Sequence, residues 1–194
     1  MPIWRINEGD QMPRIAALDP AAATGAAKTL LDAVHSKLGL TPNLMRTLAT
    51  APAALEGYLD LNNALAGGVL DHKFREQIAL AVAQANACGY CLAAHTALGT
   101  LAGLTHDEIG RSRSSRSIDP RRQAGLQFAQ AVVTNRGQVS DASLKAVRDA
   151  GFSDVEITEI VANVVLNIFT NYINLVAQTT VDFPPVPVEL TAVA

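Results

Sequence analysis

Glu76-Gln-Ile-Ala-Leu-Ala-Val-Ala-Gln-Ala-Asn-Ala-Cys88-Gly-Tyr-Cys91-Leu-Ala-Ala-His95 holds both cysteines of the chain, one of its four histidines and a carboxylate set among alanines. From Ile78 to Ala87 the side chains are small and apolar on every side, and a helix hydrophobic all round is one buried by its neighbours. Cys88 and Cys91 stand three apart. At that spacing a helix turns two side chains to one face, and a disulfide closes with little backbone movement. His95 follows Cys91 by four residues, one turn along the same face. Glu76 shares a stripe with Ala79, Leu80, Ala83 and Ala87, so its carboxyl is expected on an apolar face, where it can hold and return a proton near neutral pH.

Outward from this stretch the chain reads as helices. Of its 194 residues 49% are hydrophobic, largely alanine, and 5% aromatic; alanine is the best helix former and packs closest, so an all-α, multihelical bundle is expected. Residues 1–18 show no lasting periodicity and read as an irregular arm, with Trp4 and Ile6 packing on a neighbour. Asp19-Pro20 supplies a cap and a first-turn proline for an amphipathic helix through Leu30, Leu31, Val34 and Leu38, ended by Gly39. Pro42 and Pro52 open two more, through Leu44, Met45 and Leu48 and through Leu55, Leu59 and Leu65. Asp71 caps the helix carrying Glu76, and the next begins near Cys88.

Thr105 to Glu108 and Ser153 to Glu156 both have the capping-box form. Arg111 to Ser117 alternates arginine and serine and reads as a solvated linker. Asp119-Pro120 caps a helix through Leu126, Phe128 and Val132, Ser140 starts one through Leu144 and Val147, and the longest pattern runs through Ile160, Val164, Ile168, Leu175 and Val176. Three prolines after Phe183 forbid a helix in the tail, which is expected to lie extended on the surface or across another subunit. Laid on itself at an offset of 83, the sequence pairs Gly68 with Gly151, Asp71 with Asp154, Glu76 with Glu159, and Cys88 and Cys91 with Asn171 and Asn174. This echo reads as a duplication in which one copy keeps the thiols, with chance likeness of two capped apolar helices as the alternative. The organisation expected is a single domain over 1–194, with an active half at about 20–110, a pseudo-repeat at about 119–180 and a tail at 181–194.

A net charge of -3 and the lack of a dense basic cluster argue against nucleic acid as a partner. The first residues have no apolar signal region and no run reaches about 18 apolar residues, so no membrane association is expected and a cytoplasmic protein is the default. In a reducing compartment a CxxC pair is catalytic or metal-binding rather than a permanent staple. A helix N-terminus or a neighbouring imidazole converts a thiol to the more nucleophilic thiolate. Cys91, with His95 one turn on, is therefore assigned as the attacking thiol and Cys88 as the resolving one.

The expected cycle passes a proton among Glu76, His95 and Cys91, oxidises the thiolate with a peroxide to a sulfenic acid, and closes the disulfide with Cys88. An external dithiol reopens it. Tyr90, between the cysteines, is a candidate hydrogen-bond donor to substrate, with a packing role as the alternative. A zinc site of Cys88, Cys91, His95 and Glu76 is weighed against this, but no second half-site accompanies the pair. Haem attachment would need His where Leu92 stands, and two inert core cysteines are the plainest alternative. No cofactor and no metal are expected. His35, His72 and His106 read as surface residues.

Glu76, Cys88, Cys91 and His95 together reproduce the E-x11-C-x-x-C-x3-H signature of the alkylhydroperoxidase D-like proteins in the carboxymuconolactone decarboxylase superfamily. Ala87 to Ala97 and Phe169 to Asn174 resemble its peroxidase-related subgroup. The resemblance implies an all-helical fold of two related halves, assembled into trimers or hexamers. It also implies a thiol peroxidase or disulfide-reductase activity using the Glu76, His95 and Cys91 relay, with Cys91 as the reacting thiol. Two features depart from the pattern: the signature lies in the first half of the chain, and Tyr90 stands where the family often has His. A cofactor-free decarboxylase of the superfamily's name-giving kind and a non-enzymatic redox-sensing adaptor are the alternatives.

Overall fold

In the computed structural model, residues 12–189 are described; residues 1–11 of the first arm, Trp4 and Ile6 among them, and the last five residues lie outside them. Nine α-helices are found among the described residues: α1 (Gly25–Leu38), α2 (Asn43–Leu48), α3 (Pro52–Ala66), α4 (His72–Ala85), α5 (Gly89–Leu101), α6 (His106–Arg113), α7 (Pro120–Thr134), α8 (Asp141–Asp149) and α9 (Asp154–Ala177). The fold is all-α, as expected.

The helix starts follow the capping chemistry of the sequence. Asp71 accepts from the Phe74 N–H, Asp119 from the Arg121 and Arg122 N–H groups, and Ser140 from the Ser143 N–H. Thr105 with Glu108 and Ser153 with Glu156 form complete capping boxes, each satisfying donors that the first turn of a helix leaves unpaired. Two boundaries differ from the sequence reading. Asp19 caps only a turn, its carboxylate accepting from the Ala21 N–H, and α1 starts at Gly25, whose φ of +56° no helix running through from Pro20 tolerates. Arg111, Ser112 and Arg113, read as linker, complete α6, because the helix launched by the capping box runs on through them to Arg113.

α4 is the hub, packing against α5, α6, α7 and α9. Its all-round apolar sequence is explained by three destinations. Phe74, Ile78, Ala81 and Val82 enter a core made with α7, α8 and α9; Ala83 enters a second core with α1, α2, α3 and α5; and Leu80 meets Leu104 and Ile109 beside α6. The crossing of α4 and α7 is close. A Cβ on Gly125 would come within 2.6 Å of the Phe74 ring and 2.8 Å of the Phe152 ring.

α9 is, by length and composition, apolar enough to cross a membrane, which the sequence reading overlooked. Half of that apolar window is buried inside the protein, and Asn163, Asn167, Asn171 and Asn174 lie on the buried side. The described part of the tail, 181–189, has no helix or strand and packs on its own chain. Phe183, Val186 and Val188 lie on the α1–α2–α3–α5 core, Asp182 accepts from the Asn43 N–H, and Arg113 donates to the carbonyls of Pro187 and Val188.

Candidate active site

The break between α4 and α5 builds the site. After Ala85 the chain turns through Asn86 and Ala87, the latter at a φ of +52°, and the Cys88 N–H returns to the Ala83 carbonyl at 2.9 Å. Cys88 thereby becomes the N-cap of α5, and its Sγ accepts from the Cys91 N–H at 3.3 Å. The two cysteines are joined as a disulfide with their Cα atoms 5.3 Å apart. Both are buried, at 1% and 3% exposure.

One turn further along α5, His95 Nδ1 lies 2.9 Å from Glu76 Oε2. The carboxylate side chain is 12% exposed and the imidazole 20%, so this pair has limited access to water, as the apolar stripe of Glu76 implied. Gly99 helps α4 and α5 approach here, its missing Cβ lying 3.9 Å from the Cβ of Glu76. The structure thus joins Glu76 to His95 and Cys88 to Cys91. The two pairs meet along α5, Glu76 reaching in from α4, with His95 and Cys91 at the i, i+4 spacing that makes helix side chains neighbours.

Several neighbours were not read from the sequence. His72 is exposed, as its sequence position implies, yet its Nε2 lies 3.7 Å from the other oxygen of Glu76; its place four residues before Glu76 is the sequence signal for this contact. Tyr58 of α3 lies near enough for the Glu76 charge, after burial, to help push its hydroxyl up to about 12. From α9, Asn174 Nδ2 donates to Cys91 Sγ at 3.3 Å and Asn171 Oδ1 accepts from Asn86 at 3.0 Å. The offset of 83 that pairs Cys91 with Asn174 in the sequence also pairs them in space.

Tyr90 points elsewhere. Its hydroxyl accepts from the Leu44 N–H at 3.1 Å, and its ring meets Phe183 edge-on with centroids 5.8 Å apart. Burial above all, and the Asp182 carboxylate beside it, push the Tyr90 hydroxyl well above its ordinary range. Its placement joins α5 to α2 and the tail.

A CxxC pair at a helix N-terminus, one turn from a Glu–His pair, is an arrangement chemically suited to thiol–disulfide exchange. Residues 52–131 match the model of the carboxymuconolactone decarboxylase family. An uncharacterised peroxidase-related protein from Ralstonia eutropha JMP134, described as an alkylhydroperoxidase AhpD core, superposes with a TM-score of 0.77 at 27% identity, over 89% of this chain and 93% of its own. A second uncharacterised peroxidase-related protein, from Silicibacter sp. TM1040, gives a TM-score of 0.71 at 26% identity, over 91% and 95%. The debrominase Bmp8, solved with 2,3,4-tribromopyrrole, shares the fold with a TM-score of 0.74 at 17% identity, over 87% and 91%. No curated protein matches the sequence. The match over residues 52–131 and these neighbours make the chain similar to the carboxymuconolactone decarboxylase family and, within the same fold, to the alkylhydroperoxidase D-like, peroxidase-related proteins.

Proposed function

We propose that the chain is a thiol-dependent hydroperoxide reductase that cycles between the Cys88/Cys91 dithiol and the disulfide. The observation that carries this reading is the hydrogen-bonded Glu76–His95 pair set one helical turn from a buried CxxC. In the dithiol form His95 takes the Cys91 proton, with Glu76 holding the ring and sharing the charge. The thiolate attacks one peroxide oxygen, the O–O bond breaks, and the leaving alkoxide takes the proton from His95 to depart as alcohol. Cys91 is left as a sulfenic acid; the Cys88 sulfur displaces its hydroxyl as water and closes the disulfide. An external dithiol, oxidised in turn, restores both thiols by exchange. Hydroperoxide and dithiol thus become alcohol, water and a disulfide.

We assign no substrate contact to Tyr90, because its buried hydroxyl accepts from the Leu44 N–H and its own proton faces the Asp182 carboxylate. Self-association belongs to the same reading. Val165, Phe169, Tyr172 and Val176 leave an exposed apolar stripe along α9 at the alternating four and three spacing of a helix seam, which supports a homo-oligomer, trimer or hexamer.

The test is free-thiol counting on reduced protein before and after one equivalent of an organic hydroperoxide, followed by turnover with excess dithiol. Two thiols should disappear together and peroxide should then be consumed catalytically. Cys91→Ser should abolish consumption, Cys88→Ser should leave a thiol that oxidises once and over-oxidises, and Glu76→Gln should slow the cycle without unfolding the chain. Equal consumption by wild type and Cys91→Ser rejects the mechanism. The family match also supports a decarboxylase of a cyclic lactone acid, whose activity would survive loss of both thiols. A single stoichiometric oxidation without turnover would favour a redox-sensing adaptor.

A further inference from the structure

We propose that Asn174, from the half of the chain without thiols, is the hydrogen-bond donor that stabilises the Cys91 thiolate. The inference rests on the reading above in taking Cys91 as the reacting sulfur. At the start of α5 the donor offered by the helix end is already used: the Cys91 N–H points at Cys88 Sγ, 3.3 Å away. The helix N-terminus therefore favours charge on Cys88, whereas Cys91 receives its direct polar contact from the side-chain amide of Asn174, also at 3.3 Å. Each sulfur has its own donor, and the one on Cys91 is delivered by α9.

A disulfide sulfur is a weak acceptor and a thiolate a strong one, so the same N–H contributes far more to the reduced, ionised state. The surroundings keep that donor in place. Asn174 is 3% exposed and sits inside α9, where water does not compete for its amide. The disulfide form also leaves Asn174 Oδ1 and the neighbouring Asn171 Nδ2 buried without partners, an arrangement that native interiors rarely tolerate unless another state uses the groups. Reduction supplies what they lack, a thiol S–H to donate and a thiolate to accept. The titratable groups on the elements packed around this end of α5 are His95 of α5, Glu76 of α4, Tyr58 of α3, Tyr90 of α5 and Asp182 of the tail; from α9 the polar contact to Cys91 is the Asn174 amide. Asn174 thus acts on the sulfur independently of the Glu76–His95 pair.

The experiment measures the sulfur rather than turnover. In a Cys88→Ser background Cys91 is the sole thiol, and its alkylation by iodoacetamide is followed across pH. Asn174→Leu, which keeps the shape and removes the donor, should move the midpoint of that profile upward by about one pH unit, a tenfold loss of thiolate on its acid side. Asn174→Asp, which puts an acceptor there, should move it further. Profiles of folded variants that superpose on the parent overturn the proposal. In wild type, with no substitution to disturb folding, the Asn174 side-chain amide resonances should titrate with the Cys91 midpoint, and resonances that stay fixed overturn it equally. A protein that shows these shifts but never turns over peroxide would sink the reductase reading and leave this one standing.

Discussion

Neither sulfur can be reached as the chain stands, so some element must open before a dithiol attacks the disulfide, and the tail over the first turn of α5 is the element to perturb. Val188 Cγ2 lies 3.4 Å from the place where a Gly89 Cβ would be, and Phe183 and Val186 pack on the core that contains both cysteines. Arg113 holds this strap: its Nε donates to Gln84 at 2.8 Å and its Nη2 to the carbonyls of Pro187 at 2.6 Å and Val188 at 3.2 Å, while Gln84 Nε2 donates to Val188 at 2.9 Å. Burial lowers the affinity of the Arg113 guanidinium for its proton, yet an arginine remains charged. Hydrogen bonds from a charged group contribute about 1.5 to 3 kcal/mol each when buried; the half-exposed site and the shared geometry reduce the two tail bonds to about 1.5 to 2.5 kcal/mol together. Arg113→Ala should then raise the population of the open strap by about 10- to 70-fold, since 1.4 kcal/mol is a factor of ten. With dithiothreitol at concentrations where reduction is first order in dithiol, the rate scales with that population and should rise by the same factor. Arg113→Lys should recover only part of the closure, because a single ammonium cannot span Gln84 and two carbonyls. A reduction rate in folded Arg113→Ala equal to that of wild type would refute the assignment of the strap as the gate.

Three further perturbations test the surrounding structure. Tyr58, raised from 10.0 to about 12 by burial and then by Glu76, holds its proton more tightly folded than unfolded; the stability this contributes is complete below pH 10 and is lost as pH rises toward 12. Tyr58→Phe should therefore unfold less steeply on the alkaline side in urea titrations at fixed pH, and parallel alkaline limbs would contradict it. Glu108 is lowered by the Thr105 N–H it accepts, and Glu156 by Arg121 and then by the Ser153 N–H; both stabilise above the ordinary 4.5 and lose that effect as pH falls through their depressed values. Replacing both with Gln should flatten the acid limb, and identical limbs would dismiss the capping boxes as pH-sensitive elements. Gly125→Ala would drive a methyl into the Phe74 and Phe152 rings, which Arg121 and Arg122 cover on their outer faces; overpacking of this kind costs about 1 to 3 kcal/mol, and an unchanged urea midpoint would show that the rings can yield.

Much of the fold was legible because its signals are local. Apart from Asp19-Pro20, the proline and Asp or Ser caps, the two capping boxes and the apolar run of α4 each depend on residues within one or two turns, and each starts its helix where the sequence implied. The Glu76–His95 contact was legible for a different reason: both side chains lie on regular helices, so their faces follow from counting. What escaped depends on parts of the chain distant in sequence. Arg113 looks like one of several arginines among serines, and only the return of the tail to Gln84 gives it a partner. Asp19-Pro20 has the form of a helix start, but Gly25 adopts a left-handed turn and restarts the chain.

The echo between Cys91 and Asn174 has a structural counterpart that bears on why one half carries the chemistry. In the first half the chain breaks at Asn86 and Ala87 and begins a new helix, so Cys88 caps a helix start and Cys91 stands in its first turn. In the second, α9 continues unbroken from Asp154 to Ala177, so Asn171 and Asn174 lie in its last two turns, far from any helix start. A thiol in that position would have no helix start beside it. An amide there meets no such need, and its side chain is free to serve the sulfur opposite. The contrast holds at both levels: the break between α4 and α5 sets the cysteines at a helix start, while unbroken α9 supplies a fixed side-chain donor and part of the apolar wall behind them. Inserting a break into α9, or removing the one between α4 and α5, should disturb sulfur chemistry even with all four named side chains retained.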